Sequence, residues 1–236
     1  MKSAKRATPR ERAHASTLSE ARAIASRQLA EGGIEALSLK SVAVELGLTG
    51  PAMYRYFASR SELLTEVILG AYGDVAAALS AAAQVTRSEV AAERLLAVAS
   101  AYRRWALEQP HLFRLLYVAP VPGYDANAAR LVDAATACME VILSLFDQAI
   151  AERGAQRGPC RAMAEPPADA ASRGARHGHD PEAVQRGVIT WTRLYGFIRL
   201  EIEGAFQSMG LDADSLYRRE VEELTTALGR GNEDSR

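Results

Sequence analysis

Three consecutive residues, Tyr54, Arg55 and Tyr56, combine two phenols with a guanidinium in a segment otherwise made of small and apolar side chains. Phenolic O–H and guanidinium N–H groups both donate hydrogen bonds to phosphate oxygens, and arginine can do so through two parallel N–H groups. These residue types therefore suit binding to a phosphate-bearing polyanion. The alternative is that the two tyrosines only pack in a small helical core.

The stretch around these residues, LGLTGPAMYRYFASRSELL from Leu46 to Leu64, predicts a short helix that follows a tight turn. Gly47 can supply the positive φ that such a turn needs. Thr49 can cap the new helix, and Pro51 suits its first turn because no N–H group is needed there. The turn therefore predicts a defined direction for the helix that carries the tyrosines.

A second helix is predicted just before this turn, with Ser38 as its N-cap and its end at Gly47. In the helix after the turn, Met53 and Phe57 are four residues apart and share the inner face, which leaves the intervening side chains outside. Two short helices joined in this way have the spacing of a helix-turn-helix, whose second helix enters the major groove of DNA.

The charge distribution agrees with this interpretation. From Met1 to Arg60, ten Lys and Arg residues stand against five Glu residues, a net charge of +5, whereas the rest of the chain carries −6. A basic head on an acidic body indicates that only the head meets a polyanion. The alternative is a basic tail that binds nothing.

The periodicity of apolar residues predicts helices throughout, with no sustained alternation of strand type. The first helix includes Leu18 and ends at Gly32–Gly33, and the fourth begins at Ser59 or Ser61. Later helices are expected at about 88–108, 111–118, 126–153, 181–202 and 212–228. No apolar run approaches the roughly 20 residues of a membrane span, and no signal peptide is evident, so we expect a cytoplasmic protein.

The segment SLKSVAVELGLTGPAMYRYFASRSELL resembles the DNA-binding segment of TetR-family transcriptional regulators, and the similarity extends from about Leu18 to Gly70. The resemblance implies an all-α fold, with an N-terminal three-helix DNA-binding domain containing a helix-turn-helix and a larger C-terminal helical domain for ligand binding and dimerisation. The expected divisions are a basic disordered arm (1–16), the helix-turn-helix domain (17–62), the C-terminal domain (63–228) with a mobile loop (154–180), and a disordered tail (229–236).

The resemblance implies DNA contacts at Ser38, Lys40, Thr49, Gly50, Pro51, Ala52, Tyr54, Arg55, Tyr56 and Arg60. Residues 49–52 and Arg55 would face the major groove, while Ser38, the two tyrosines and Arg60 would hold the phosphate backbone. Tyr56 occupies a position where many members have histidine. Of these side chains, Arg55 is best suited to bidentate contact with guanine.

Two later stretches, AYRRWALEQPHLFRLLY and WTRLYGFIRLEIEGAF, resemble the C-terminal subgroup named for its Trp, His and Gly, with Tyr195 at the histidine position. An apolar effector pocket could be lined by Trp105, Phe113, Leu116, Tyr117, Met139, Phe146, Trp191 and Tyr195. Ordinary core packing is the alternative for each of them. Gly196 and Gly204, eight residues apart, are expected on one helix face of a dimer interface.

The sequence thus predicts a regulator, most simply a repressor, that binds double-stranded DNA as a homodimer and responds to a small hydrophobic effector. A helical adaptor that binds a protein partner is the alternative. An enzyme is not expected, because the possible metal cluster His177–Asp180 falls in the predicted mobile loop and lacks a further ligand at defined spacing. No cofactor, metal or disulfide is expected; Cys138 and Cys160 have unlike surroundings.

Overall fold

The computed structural model describes residues 8–117, 124, 129–157 and 178–229, and each regular element in these ranges is a helix. The helices are α1 (Pro9–Ala36), α2 (Leu39–Glu45), α3 (Gly50–Met53), α4 (Arg60–Val85), α5 (Ala91–Glu108), α6 (Pro110–Tyr117), α7 (Ala129–Arg157), α8 (Pro181–Ile202), α9 (Ala205–Ser208) and α10 (Ala213–Gly229). The predicted all-α class is confirmed.

The chain divides into two compact units: the first comprises Met1–Tyr72 and His111–Val132, the second Gly73–Pro110 and Asp133–Arg236. This differs from the predicted boundary after residue 62. The first half of the uninterrupted helix α4 belongs with α1–α3, and α6 returns to that unit. There the Tyr72 hydroxyl donates to the Leu116 carbonyl at 2.8 Å, and Ser26 Oγ lies 3.0 Å from His111 Nε2.

Helix α1 begins at Pro9, so residues 9–16 of the predicted disordered arm are helical, and residues 1–7 lie outside the described ranges. Thr8 and Glu11 form a capping box: Thr8 Oγ1 accepts from the Glu11 amide at 3.2 Å, and the Glu11 carboxylate accepts from the Thr8 amide at 2.7 Å. The predicted break is confirmed, because Gly32 and Gly33 have non-helical backbone angles and Gly33 has a φ of +65°.

In the second unit, α5 packs against α8 and α10, and the short α9 packs against α8. Pro181 lies in the first turn of α8, as predicted, with Asp180 as N-cap. Helix α8 comes close to α7 at Gly187, where a Cβ would lie 2.6 Å from Leu143 Cδ2. Val188, the next residue, is 48% exposed.

The predicted glycine pair does not share a helix face. Gly204 has a φ of +74° and follows the end of α8, so only Gly196 lies within that helix. Within the described ranges, no atom lies within 4 Å of a Cβ built on Gly196. Gly196 therefore makes no close contact with another described helix of this chain, and its part in a dimer interface stays a prediction.

Helix α7 extends to Arg157, four residues further than predicted, and residues 158–177 of the predicted mobile loop lie outside the described ranges. In the described part of the chain, α4 is long and apolar enough to cross a membrane by length and composition alone. Its apolar side chains at Leu63, Leu64, Val75 and Leu79 are buried within the protein. That burial accounts for the composition of a core helix.

Candidate nucleic-acid interface

Helix α2 and the turn after it are fixed by local hydrogen bonds. Ser38 caps α2, as predicted, with Oγ accepting from the Ser41 amide at 3.3 Å. Gly47 has a φ of +67°, and the Leu48 amide donates to the Ala43 carbonyl at 2.8 Å. A left-handed residue in this position reverses the chain at little cost only when it is glycine.

The α3 segment has the predicted cap and the predicted inner face. Thr49 Oγ1 accepts from the Ala52 amide at 3.3 Å, and Pro51 lies in the first turn. Met53 is 2% exposed and Phe57 is 1% exposed, so both side chains belong to the core of the first unit. Burial of these two side chains fixes the orientation of the residues between them.

The predicted DNA-contacting residues of α2, α3 and the start of α4 are all exposed or half-buried. Exposed residues are Lys40, Thr49, Gly50, Pro51, Tyr54 and Arg55, and half-buried ones are Ser38, Ala52, Tyr56 and Arg60. Tyr54 is 62% exposed. An apolar ring so exposed gains little from packing, which leaves it free for an external partner.

Tyr56 is placed differently from Tyr54. Its ring stacks on His14 of α1, with centroids 5.0 Å apart and planes 26° apart. The packing alternative therefore describes part of the Tyr56 environment but not that of Tyr54. The sequence analysis missed His14, which the helical extension of α1 brings to this surface.

Arg60, at the start of α4, donates from its guanidinium to the Ile34 carbonyl. Its Nε is buried and has no acceptor among the described residues. Because a guanidinium has five N–H donors, this contact holds the side chain without using all of them. Arg60 thus holds α4 against the last turn of α1, and its phosphate contact remains a prediction.

Gln28 is a second residue that the sequence analysis missed. It is only 8% exposed, and its side-chain oxygen accepts from the Ser38 amide at 3.1 Å. Its Nε2 donates to Ser41 Oγ at 3.1 Å and Glu45 Oε1 at 3.3 Å. The signal in the sequence was a glutamine on the same helical face as Ala21 and Ala25. Gln28 fixes α2 against α1 and so positions the turn.

The predicted effector-binding residues are divided between the units. The second unit contains Trp105, Met139, Phe146, Trp191 and Tyr195, and the first contains Phe113, Leu116 and Tyr117. Trp105 and Phe146 are buried, and Trp191 stacks on Tyr102 with centroids 4.6 Å apart. Phe113 is fully buried and lies 5.4 Å from Tyr117 between ring centroids.

A groove of about 340 Å³ in the second unit contains none of these predicted residues; it is lined by Ser100, Arg103, Arg104, Leu107, Glu108 and Tyr217. Arg103 in this groove already contacts Glu201 and Asp214, at 2.5 and 2.6 Å. Its guanidinium also lies 5.1 Å from the Tyr217 ring centroid. The positive charge of Arg103 at the groove is therefore already balanced by carboxylates of the same chain.

His179, near the end of the predicted mobile loop, is held by two carboxylates of α7. Its side chain is 8% exposed, with Nδ1 2.5 Å from Asp147 Oδ2 and Nε2 2.7 Å from Glu140 Oε2. Burial lowers the His179 pKa, but the hydrogen bonds to the two carboxylates outweigh burial and raise it. Within the described residues, no group of three His, Cys, Asp or Glu side chains is arranged to hold a metal ion.

The comparison with known families matches both parts of the chain. Residues 23–67 match the family described as bacterial regulatory proteins, tetR family, and residues 95–224 match the tetracyclin repressor-like C-terminal domain. The protein belongs to the TetR family. The helix-turn-helix built by α2 and α3 is therefore the DNA-binding element of a TetR-family transcriptional regulator.

Relatives extend the similarity beyond the motif. The chain is 34% identical over 187 residues to the HTH-type transcriptional regulator Rv1816 of Mycobacterium tuberculosis, covering 76% of this chain and 78% of that one. The crystal structure of the regulatory protein SCO4313 has 32% identity and a TM-score of 0.72, covering 92% and 98%. The TetR-family regulator PfmR from Thermus thermophilus, at 21% identity with a TM-score of 0.52 over 89% and 97%, shares the fold.

Proposed function

We propose that this TetR-family member is a cytoplasmic repressor that binds a palindromic operator as a homodimer and is released by a small hydrophobic effector. The observation that carries the proposal is the exposed α2–α3 face, with Tyr54 and Arg55 above the buried pair Met53 and Phe57. A rigid base under exposed hydrogen-bond donors is what recognition of a polyanion needs.

The DNA contacts divide into two kinds. Residues 49–52 and Arg55 contact the major groove, because Gly50, Pro51 and Ala52 add little bulk between the backbone and the base edges. Ser38, Lys40, Tyr54, Tyr56 and Arg60 contact phosphates. Arg55 supplies the base readout, since a guanidinium can contact guanine through two hydrogen bonds. Specificity from one arginine per half-site is limited, so phosphate contacts dominate affinity.

Dimerisation is proposed on α8. Ile189 and Leu200 are each 51% exposed, and Gly196 lies between them at helical spacing with space above it. Exposed apolar residues around a glycine allow a second helix to approach closely. A pair of identical surfaces related by two-fold symmetry buries this stripe and spaces two α3 segments for a palindrome.

Effector control follows from linkage. An effector that binds more tightly to a conformer unable to match the operator lowers operator affinity by its differential affinity for the two conformers. The aromatic side chains predicted for the pocket favour an apolar effector. Helix α4 is the proposed lever, because it carries residues of both units in one continuous helix.

The proposal is tested by selecting duplexes from a random library with the full-length protein at two salt concentrations. We expect a palindrome whose half-sites are one helical turn apart, with affinity that falls steeply as salt rises. Tyr54→Phe, which removes one exposed hydroxyl, should weaken binding without changing the selected sequence. Recovery of no shared sequence, with only weak binding at low salt, would contradict the proposal and favour a protein-binding adaptor.

A further inference from the structure

Arg94, in the first turns of α5, is a buried cation with unusual partners. The residue is 8% exposed, and its Nε is buried with no acceptor in the described part of the chain. Its guanidinium donates through Nη1 to the side-chain oxygen of Gln148 on α7. Gln148 is neutral, so this contact supplies a hydrogen bond but no opposite charge.

Two other arginines of the second unit, Arg103 and Arg193, have carboxylate partners. Arg103 contacts Glu201 and Asp214, and Arg193 contacts Glu220 and Glu223. No carboxylate among the described residues lies within 4 Å of the Arg94 guanidinium. A cation removed from water is costly without a counter-charge, which distinguishes Arg94 from these paired arginines.

The acidic residues nearest along the chain do not provide that charge. Glu89 and Glu93 are exposed, and their hydrogen bond to each other raises the pKa of Glu93. The pair is directed to solvent and to itself. The positive charge of the Arg94 guanidinium is therefore not balanced by these carboxylates.

The start of α5 provides further donors. Its N-cap is Val90, which makes no side-chain cap hydrogen bond, so the first turn lacks the acceptor that a capping side chain would supply. Helical side chains lean toward the N-terminus, which brings Arg94 over this turn. An uncapped helix N-terminus and a buried guanidinium both favour a negative group.

We propose that Arg94 and Gln148 bind the carboxylate of a small-molecule effector between α5 and α7. While its oxygen accepts from Arg94, the Gln148 amide can donate to the same carboxylate. Gln148 is exposed, which gives a ligand access from solvent. The inference rests on the proposed ligand response and restricts the effector to molecules with an acidic group on an apolar body.

The direct test observes the Arg94 Nε–H group by nuclear magnetic resonance of the full-length protein labelled with ¹⁵N-arginine. Benzoate is titrated at constant ionic strength, with benzamide as the neutral control of nearly the same shape. We expect a saturable downfield shift of the Arg94 signal with benzoate and none with benzamide. The signal is assigned by its loss in Arg94→Met.

Two variants separate binding from stability. Arg94→Met keeps an apolar stem and should bind benzoate at least about tenfold more weakly, because a charge-assisted hydrogen bond is lost. Gln148→Glu supplies the missing charge from within the chain, so it should raise the Tm and remove the benzoate response. A matched substitution, Glu222→Gln on the exposed side of α10, should leave benzoate binding unchanged.

An Arg94 signal that does not move with benzoate, or that moves equally with benzamide, would overturn the site. So would a Gln148→Glu protein whose Tm is not raised. Operator binding of the ligand-free Arg94→Met protein, expected to equal that of the parent, is measured separately. Loss of operator binding by the parent protein would contradict the proposed function and leave the outcome of the benzoate titration intact.

Discussion

The two units use their polar side chains in opposite ways. In the first unit, Lys40, Tyr54 and Arg55 extend into solvent from a segment that capping residues and buried apolar side chains hold in place. In the second unit, Arg103 and Arg193 each contact two carboxylates of the same chain. These side chains of the first unit thus remain exposed as donors, whereas these charges of the second unit join its own helices.

The α2–α3 segment and the second unit also differ in the distance along the chain between their contacting residues. The caps of α2 and α3 join residues three apart, but Arg103 and Glu201 are 98 residues apart, and the Tyr217 hydroxyl donates to the carbonyl of Ala99, 118 residues away, at 2.8 Å. Loss of a local cap affects one turn. Loss of a distant tie affects how α5, α8 and α10 assemble.

The largest expected effect is the difference between a buried and an exposed aromatic ring in the residues just after α3. Phe57→Ala should lower the free energy of unfolding of the first unit by about 3–5 kcal/mol, because it opens a cavity in a filled core. Tyr54→Ala, at an exposed position, should change it by less than about 0.5 kcal/mol. Denaturant unfolding followed by circular dichroism compares the two. Equal losses would show that Tyr54 packs and is not available to DNA.

A smaller effect is expected from removing the ion pair between Arg103 and Glu201 in the second unit. Glu201→Gln should cost about 1–3 kcal/mol, because Arg103 loses its best-buried partner and keeps the exposed Asp214. Glu222→Gln, an exposed change on α10, should cost less than about 0.5 kcal/mol. Thermal unfolding measures both. If Glu201→Gln were as neutral as its control, the charges of the second unit would not join its helices.

The turn between α2 and α3 gives the next effect. Gly47→Ala should cost about 1–2 kcal/mol, because alanine is strained at a φ of +67°. Gly50→Ala should be nearly neutral for stability, since a Cβ there meets no atom within 4 Å in the described ranges. Both variants are compared by denaturant unfolding and by DNA affinity. A Gly50→Ala protein with full stability but weaker DNA binding would show that the backbone comes close to the duplex.

The smallest effect concerns pH and His179. Its pKa is raised in the folded protein, so its stabilising contribution is complete below the unfolded value of about 6.5 and is lost as pH rises through the folded value. His179→Gln should lower the Tm by about 2–4 °C at pH 6, roughly 1 kcal/mol for a chain of this size, and by less at pH 9. Asp147→Asn should act in the same direction. A Tm difference that grew with pH would contradict the pairing.

The sequence was sufficient to predict the caps, the turn and the inner face of the α2–α3 segment because their determinants are local. Ser38, Gly47, Thr49 and the Met53–Phe57 pair lie within twenty residues, and each acts on its own helix or turn. The capping box of Thr8 and Glu11 at the start of α1 is equally local, whereas the basic composition of residues 1–16 indicated a disordered arm.

The remaining features depend on residues distant in the chain. The tie from Gln28 to Ser38, the stacking of His14 on Tyr56 and the carboxylates around His179 each join different helices. The spacing of residues along one helix does not show which residues of another helix they will contact. The effector residues were uncertain for another reason, since buried aromatic side chains line pockets and cores alike.

The central claim is that the exposed α2–α3 face binds DNA, and affinity for the selected duplex tests it most directly. Arg55→Ala is compared with Arg104→Ala, which removes an exposed arginine from the second unit. The account predicts that Arg55→Ala weakens binding by about 1–3 kcal/mol and relaxes the preference at one base pair, while Arg104→Ala changes neither. Equal losses in both variants, or no loss in either, would contradict it.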